Sequence, residues 1–284
     1  MRDGRVSHVF NGSDTLVEWM GNVMITATGP PFTMSSWFNS ASAGGSQTII
    51  SIFQDGNDWW TLRAAMNVGG DPVRYQTKGP GADLGLNTTT GATVGQWHHA
   101  AARSVTLSDH AVFIDGGSKA TSTTTIAPSM PPGRVAIGHV GLASGSHFNG
   151  KLFWITIWTA ALADEEISRL ALGAPPWTIR PQSIAGLWAL DEPGFPGRDS
   201  SRYGRHGAPF AGMPTGDIPQ QVKDYNGDPT GYLRAINLGH PLVFPRGRTP
   251  DVAGGGEVFI ENLNRIESGV RAQTAAQMNG VLVT

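Results

Sequence analysis

Hydrolytic chemistry needs paired carboxyls or an activated nucleophile held within reach of one another. The 284-residue sequence offers few such sets. Asp191 and Glu192 close the short apolar run Leu187–Leu190. Adjacent residues on a strand point to opposite faces, so these two do not flank one bond. No strand-like segment carries two carboxylates at alternating positions, and no Gly-x-Ser-x-Gly elbow occurs. His98 and His99 in "GQWHHAAARS" are also adjacent, with no nearby carboxylate to complete a metal set, and are read as structural. "DGNDWW" has oxygen-bearing side chains but lacks the ordered loop and closing Glu of a helix-loop-helix calcium site. Asp164, Glu165 and Glu166 open "DEEISRLALG", where a helix dipole favours negative charge, and are read as helix-start residues. The chain is therefore expected to be non-enzymatic, with no catalytic residue assigned.

The elements that must position any site are mostly strands. With 38 Gly, 19 Pro and only 15% charged residues, short strands and many turns are favoured, and an all-β class follows. Successive segments rich in Val, Ile, Thr and aromatics are split by turn residues: "RVSHVF", "TLVEW", "FTMSSWFN", "QTIISIF", "WWTLRAAM", "HAVFI", "RVAIGHV" and "KLFWITIW". Asp115-Gly116 marks a tight hairpin. One helix is expected, with Leu162, Ile167, Leu170 and Leu172 near helical spacing and Gly173 and Pro175 ending it. Trp37, Trp97 and Trp158 are expected near the packed interior. Cysteine is absent, so stability rests on the core. The formal net charge of -2 gives no electrostatic case for nucleic acid or an anionic membrane. The N-terminal stretch has no apolar core of a signal peptide, and no apolar run is long enough to insert in a membrane.

The order "HVFNGSDTLVEW", "FTMSSWFN", "GQWHHAAA" with "VFIDGG", then "HFNGKLFWITIWTAALADEEISRL" resembles the laminin G-like, concanavalin A-like jelly-roll superfamily over roughly residues 6 to 173. The resemblance implies an antiparallel β-sandwich of two curved sheets, here with an irregular C-terminal arm. "GLWALDEPGFPGRDSSRYGRHGAP" resembles the segment that opens such domains, yet it follows the helix. The sandwich is accordingly expected over residues 1–213, with 184–190 as its displaced first strand; the competing reading is a truncated second copy. Residues 214–284 are expected to form an appendage that docks onto other subunits, through apolar clusters too sparse for a core of their own and a Gly/Pro-rich linker at 245–256. The competing reading is an appendage folded back on the sandwich.

Two sites follow from the resemblance. Carbohydrate recognition in this superfamily uses exposed aromatic faces and neighbouring polar groups. Alternation along "DWWTLRAAM" sets Trp60, Leu62 and Met66 on one face and Trp59, Thr61 and Arg63 on the other. Trp59 and Arg63 are the carbohydrate-binding candidates, against the alternative that both faces are packed. Many relatives also hold calcium at the sandwich rim, and Asp14 and Asn149 lie in turns suited to meet there; no other cofactor is expected. The permuted sandwich, with "PQSIAGLWALDE" after the helix, also resembles phage-encoded laminin G-like virion proteins. The expected function is a structural component of a bacteriophage particle, in the capsid decoration, tail or fibre, made in the host cytoplasm and located in the virion. Its expected partners are other virion subunits, copies of itself as a homo-oligomer, and host surface glycans. The alternative is a carbohydrate-binding module, with a glycoside hydrolase a distant third.

Overall fold

The computed structural model describes residues 6–14, 16–19, 29–54, 58–79, 82–127, 133–140, 146–191, 194–210 and 212–225. The part of the expected arm from residue 226 onward, linker included, lies outside the described residues. Fifteen strands and two α-helices are described. They are β1 (Ser7–Asn11), β2 (Leu16–Trp19), β3 (Phe32–Ser40), β4 (Ser46–Phe53), β5 (Trp59–Ala65), β6 (Pro72–Gly79), β7 (Ala82–Gly91), β8 (His98–Thr106), β9 (Asp109–Ile114), β10 (Gly117–Ser122), β11 (Arg134–Ile137), β12 (Asn149–Trp158), α1 (Asp164–Ala171), β13 (Ile184–Trp188), β14 (Ala208–Phe210), β15 (Thr215–Gly216) and α2 (Gln220–Asp224). All pairings are antiparallel. One sheet runs β10-β9-β8-β3-β12-β1-β15, with β13 also on β12, and the other runs β14-β2-β11-β4-β5-β6-β7.

The period-two pattern decides what lies between the sheets. Phe10, Phe32, Phe38, Ile50, Trp60, Leu62, Tyr75, Val112, Ile155 and Trp188 belong to one buried cluster drawn from both sheets. A polar thread crosses this core: the Tyr75 hydroxyl meets Ser104 Oγ at 2.8 Å, which meets His110 Nδ1 at 2.8 Å. Burial raises the Tyr75 phenol well above its ordinary value, so it stays protonated within that thread.

Strand β12 organises the first sheet. One of its edges is shared: Asn149–Leu152 pair with β1, and Ile155–Trp158 pair with β13. Between these two stretches Trp154 takes a left-handed φ of 52°, and its N–H donates to Ala189 O at 3.1 Å. The late segment Ile184–Trp188 thus lies in the sheet beside the N-terminal strand. The loop after it is held by Asp199, which is 2% exposed. Its carboxylate accepts from the N–H groups of Leu187, Ser201 and Arg205 and from Ser201 Oγ, at 2.7–2.9 Å. "DSSRYGRHG" is therefore a carboxylate-centred loop that closes the sandwich over Trp188, whose indole N–H donates to Arg205 O.

Local chemistry accounts for the other features. Asp115 and Gly116 take φ of 51° and 73°, as the tight turn between β9 and β10 requires. Helix α1 packs Ile167 and Leu170 against Ala101, Phe113 and Trp158 on the outer side of the first sheet. Its acidic start is structural: Asp164 pairs with Arg103 at 2.8 Å and Lys119 at 2.9 Å, and Glu166 accepts the Ala163 N–H and pairs with Arg180. Gly173, at φ 95°, ends this region where the chain of α2 passes; a Cβ there would sit 2.2 Å from Gln221 O. Leu172, placed on the helix's apolar side by spacing, is 67% exposed because the helix has already ended.

Two expectations change. The sandwich does not stop at 213. Strand β15 pairs with β1, Ser7 Oγ donates to Asp217 O at 2.6 Å, and Ile218 and Val222 pack on Trp37, Phe153, Trp154 and Ala189. The first part of the expected arm, 214–225, covers apolar surface of its own sandwich. Trp37 and Trp158 are buried as expected, but Trp97 is only partly buried, because its indole N–H reaches out to Asp217 Oδ2 at 3.2 Å. No helix among the described residues is long and apolar enough to cross a membrane.

Candidate functional site

Strands β4 to β7 place twelve residues in register on the outer face of the second sheet. Directly opposed residues share a face. The first row is Phe53, Trp59, Lys78 and Asp83; the second is Ser51, Thr61, Gln76 and Gly85; the third is Thr48, Arg63, Arg74 and Asn87. The alternate residues of the same strands, such as Trp60, Leu62, Val73 and Tyr75, enter the core. Exposure rises across the grid, from buried positions on β4 and β5 to half-buried Arg74, Gln76 and Lys78 and exposed Asp83 and Gly85.

Trp59 and Arg63 are on this face together, as alternation predicts, but each is only 9% exposed. Trp59 packs with Phe53 and Ala136, and the Arg63 guanidinium lies 5.2 Å from its ring centroid. The indole is therefore a platform for Arg63 more than an open stacking surface. Arg63 Nε donates to Thr61 Oγ1 at 2.9 Å and Nη1 to Ser46 Oγ at 3.4 Å. Burial, then the neighbouring charge of Arg74, lowers Arg63 to about 10, with Asp83 acting in the opposite sense. It remains charged at neutral pH. Arg74 Nε donates to Asn87 Oδ1 at 2.9 Å, and Gln76 Nε2 reaches both Asp83 oxygens at 3.3 and 3.4 Å. Arg74, Gln76, Asp83 and Asn87 were not singled out by the sequence reading. The alternation of Arg74, Gln76 and Lys78 through "PVRYQTKG" is the signal that identifies them, because it presents a polar row opposite the outward side of β5.

Asp14 and Asn149 do come to one rim. Asn11 pairs with Asn149, and a Cβ at Gly12 would lie 3.0 Å from Asn149 Cβ. Yet Asp14 Oδ1 already accepts from Asn11 Nδ2 and Ser13 Oγ, which hold its carboxyl below the ordinary value. Among the described residues no group of three His, Cys, Asp or Glu is arranged to hold a metal. One carboxylate and one amide fall short of the six to eight oxygens calcium takes. Asp14 and Asn149 bring one carboxylate and one amide to the described rim, and nothing in the proposed function runs through calcium.

The two histidines are structural in different ways. Thr93 N–H donates to His98 Nε2 at 2.9 Å, so Nδ1 carries the proton and donates to Asp115 Oδ2 at 2.8 Å. His99 is buried edge-on against Trp37, with ring centroids 5.4 Å apart.

A laminin G model of the Concanavalin A-like lectin/glucanases superfamily matches residues 11–168, more than half of the chain. The chain belongs to this superfamily. Its members' two-sheet fold accounts for the strand pairing above, and similar solved structures carry it too. The SAP-like pentraxin of Limulus polyphemus superposes with a TM-score of 0.55 at 15% identity, over 77% of this chain and 97% of that one. A putative carbohydrate binding protein from Bacteroides ovatus does so with a TM-score of 0.51 at 18% identity, over 77% of this chain and 62% of that one. A third is domain 4 of the extracellular arabinanase AbnA from Geobacillus stearothermophilus, solved with arabinotriose: TM-score 0.47, 19% identity, 58% of this chain and 76% of that one. At these identities the likeness concerns the fold. No curated protein sequence matches the chain.

Proposed function

We propose that this concanavalin A-like chain is a carbohydrate-binding module that recognises glycans on the outer face of its seven-stranded sheet. The observation that carries the reading is the registered grid: Arg63, Arg74, Gln76, Asp83 and Asn87 come to one face of three adjacent strands, with the Trp59 indole beneath Arg63. A sugar presents hydroxyls that both donate and accept. Guanidinium groups donate, a carboxylate accepts, and amides do both, so this set is matched to vicinal hydroxyls. Strands fix these groups more firmly than loops do, which reduces the ordering cost of binding. A carbohydrate-binding role fits the company of similar folds better than a role as a particle component does. Within the grid Asp83 is the one carboxylate, whereas glycoside hydrolysis needs a pair, so the reading is recognition without turnover.

Screening the whole chain on an array of immobilised oligosaccharides, followed by calorimetry on the hits, tests this. The wild type is expected to bind at least one glycan class. Trp59→Ala is expected to weaken that binding by roughly tenfold or more, since it removes the platform under Arg63. Failure of the wild type to bind any glycan overturns the reading.

A further inference from the structure

Among the described side chains, the aromatic rings that stand exposed are Phe195, at 40%, and Tyr203, at 47%. Both lie on the loop between β13 and β14. Burial favours such rings, so two of them left in solvent on one loop mark a contact surface. The loop beneath them is rigid. The buried Asp199 carboxylate accepts from the N–H groups of Leu187, Ser201 and Arg205 and from Ser201 Oγ. The two arms of the loop touch: the Gly207 N–H donates to Gly197 O at 2.7 Å, and a Cβ at Gly197 would sit 1.9 Å from Gly207 O.

Each ring is seated on a polar neighbour. Phe195 meets the His206 imidazole at a steep angle, with ring centroids 5.5 Å apart. His206 Nδ1 accepts the Asp199 N–H at 3.1 Å, so the proton of the neutral ring sits on Nε2, a donor on an exposed side chain. The Arg205 guanidinium carbon lies 4.2 Å from the Tyr203 ring centroid. Arg205 is itself only 6% exposed and anchored through Nη1 to Ala185 O at 2.8 Å, so it supports the tyrosine from the protein side. Arg202 is exposed and donates from Nη2 to the Tyr203 hydroxyl at 2.7 Å. Gly204 adds no side chain beside Tyr203: at φ 58°, a Cβ there would meet nothing closer than His206 at 3.9 Å.

We infer that this loop is a second carbohydrate contact, in which Tyr203 and Phe195 stack on sugar rings while Arg202 and His206 donate to sugar hydroxyl oxygens. The inference rests on the carbohydrate-binding reading and goes beyond it. The loop leads into β14, and β14 and β7 are opposite edges of the seven-stranded sheet, so this contact is separate from the grid on β5–β7. A sugar offers an apolar C–H face rimmed by oxygens, which an aromatic ring flanked by N–H donors complements. The grid has little of this, since Trp59 is only 9% exposed. The described acids of the loop, Asp191 and Asp199, are buried, so donors dominate its surface. Its described aliphatic residues, Ala189, Leu190 and Pro196, are buried too, so it lacks the apolar centre that a protein interface covers.

The test applies an array of neutral and acidic oligosaccharides, with calorimetry on its hits, to the whole chain as wild type, Phe195→Ala, Tyr203→Ala, Tyr203→Phe and Trp59→Ala. For at least one glycan, each loop alanine variant is expected to weaken binding by about tenfold, while Tyr203→Phe, which keeps the ring, stays within about threefold of the wild type. Phe195→Ala removes a ring whose aromatic partner is the exposed His206, and it stands in should Tyr203→Ala not fold. Affinities unchanged in the loop alanine variants but lowered in Trp59→Ala overturn the loop contact and leave the sheet-face reading intact. Affinities lowered in the loop variants and unchanged in Trp59→Ala support the loop and overturn the sheet-face reading. Affinities unchanged in every variant, or no glycan bound by the wild type, overturn both. A short oligothymidylate is the competing probe, because bases also stack on aromatic rings. Its binding more tightly than any glycan, with loss in Tyr203→Ala, overturns the assignment to sugar.

Discussion

His99 shows how much a single buried group can dictate. Burial pushes its imidazole down to about 4, against a weaker opposing pull from Asp115. An unfolded histidine titrates near 6.5. Between these values the unfolded chain holds a proton that the folded chain does not, so stability falls as pH drops through that window and is restored above it. Denaturant unfolding of the wild type is expected to give a clearly lower stability at about pH 4.5 than at about pH 7. His99→Leu is expected to flatten that dependence; an unchanged slope would show that another group carries it. Asp115 and Asp217 add a second, more acidic loss. Burial alone would raise both carboxyls, but hydrogen bonds from His98 and the His99 N–H, and from Lys151 and Trp97, outweigh it and hold both below their ordinary value. Their contribution is present above the ordinary carboxylate range and is lost as pH falls below it. The sequence revealed that His98 and His99 face opposite ways, because alternation is local. It did not reveal that Trp59 would lie under Arg63 with so little of its ring exposed. Nor did it reveal that Arg74 would stand opposite Arg63, since register between strands follows from the whole sheet.

At the scale of elements, the segment 215–222 acts as a strap across aromatic surface. It pairs through β15, ties down through Asp217 to Lys151 and Trp97, and inserts Ile218 and Val222 over Trp37 and Trp154. Ile218 is 2% exposed. Ile218→Asp places an unpaired carboxylate among these rings and is expected to cost about 3 kcal/mol or more. Limited proteolysis should then cut near residues 212–217, and tryptophan emission should shift to the red. A variant with the wild-type melting temperature and cleavage pattern would show that the strap carries no stability. Most strands, α1 and the β9–β10 turn were legible because their signals are short-range: apolar alternation, acidic helix start, Asp-Gly turn. The strap was not. Its few apolar residues, Ile218 and Val222, have no periodic pattern, and their meaning depends on rings contributed by β3 and β12. The late strand β13 was legible as a strand, while the neighbour it adopts is a property of the assembled sheet.

On the scale of the molecule, the pairings are long-range. Ser7 bonds with Asp217, 210 positions away, and Thr33 Oγ1 with Ala160 O, 127 away. Closing such loops costs entropy before their contacts form, so refolding is expected to be slow, in milliseconds to seconds or longer. Because one core draws on both sheets, unfolding of the described sandwich is expected to be a single transition, with far-UV circular dichroism and tryptophan emission moving together. Separate midpoints for the two probes would show that the sheets melt independently. The shared edge of β12 also has a consequence during synthesis. β3 leaves the ribosome more than a hundred residues ahead of β12, and β1 further ahead still. At about 5–20 residues per second, these early strands wait on the order of ten seconds for the partner that covers them. The edge of β12 that receives β13 then waits for residues 184–188. Throughout that interval the growing chain presents open strand edges, the surfaces most prone to pair with a neighbouring nascent chain. Yield in a cell should therefore depend on how quickly residues up to 216 follow, and on which chaperone shields the early strands meanwhile.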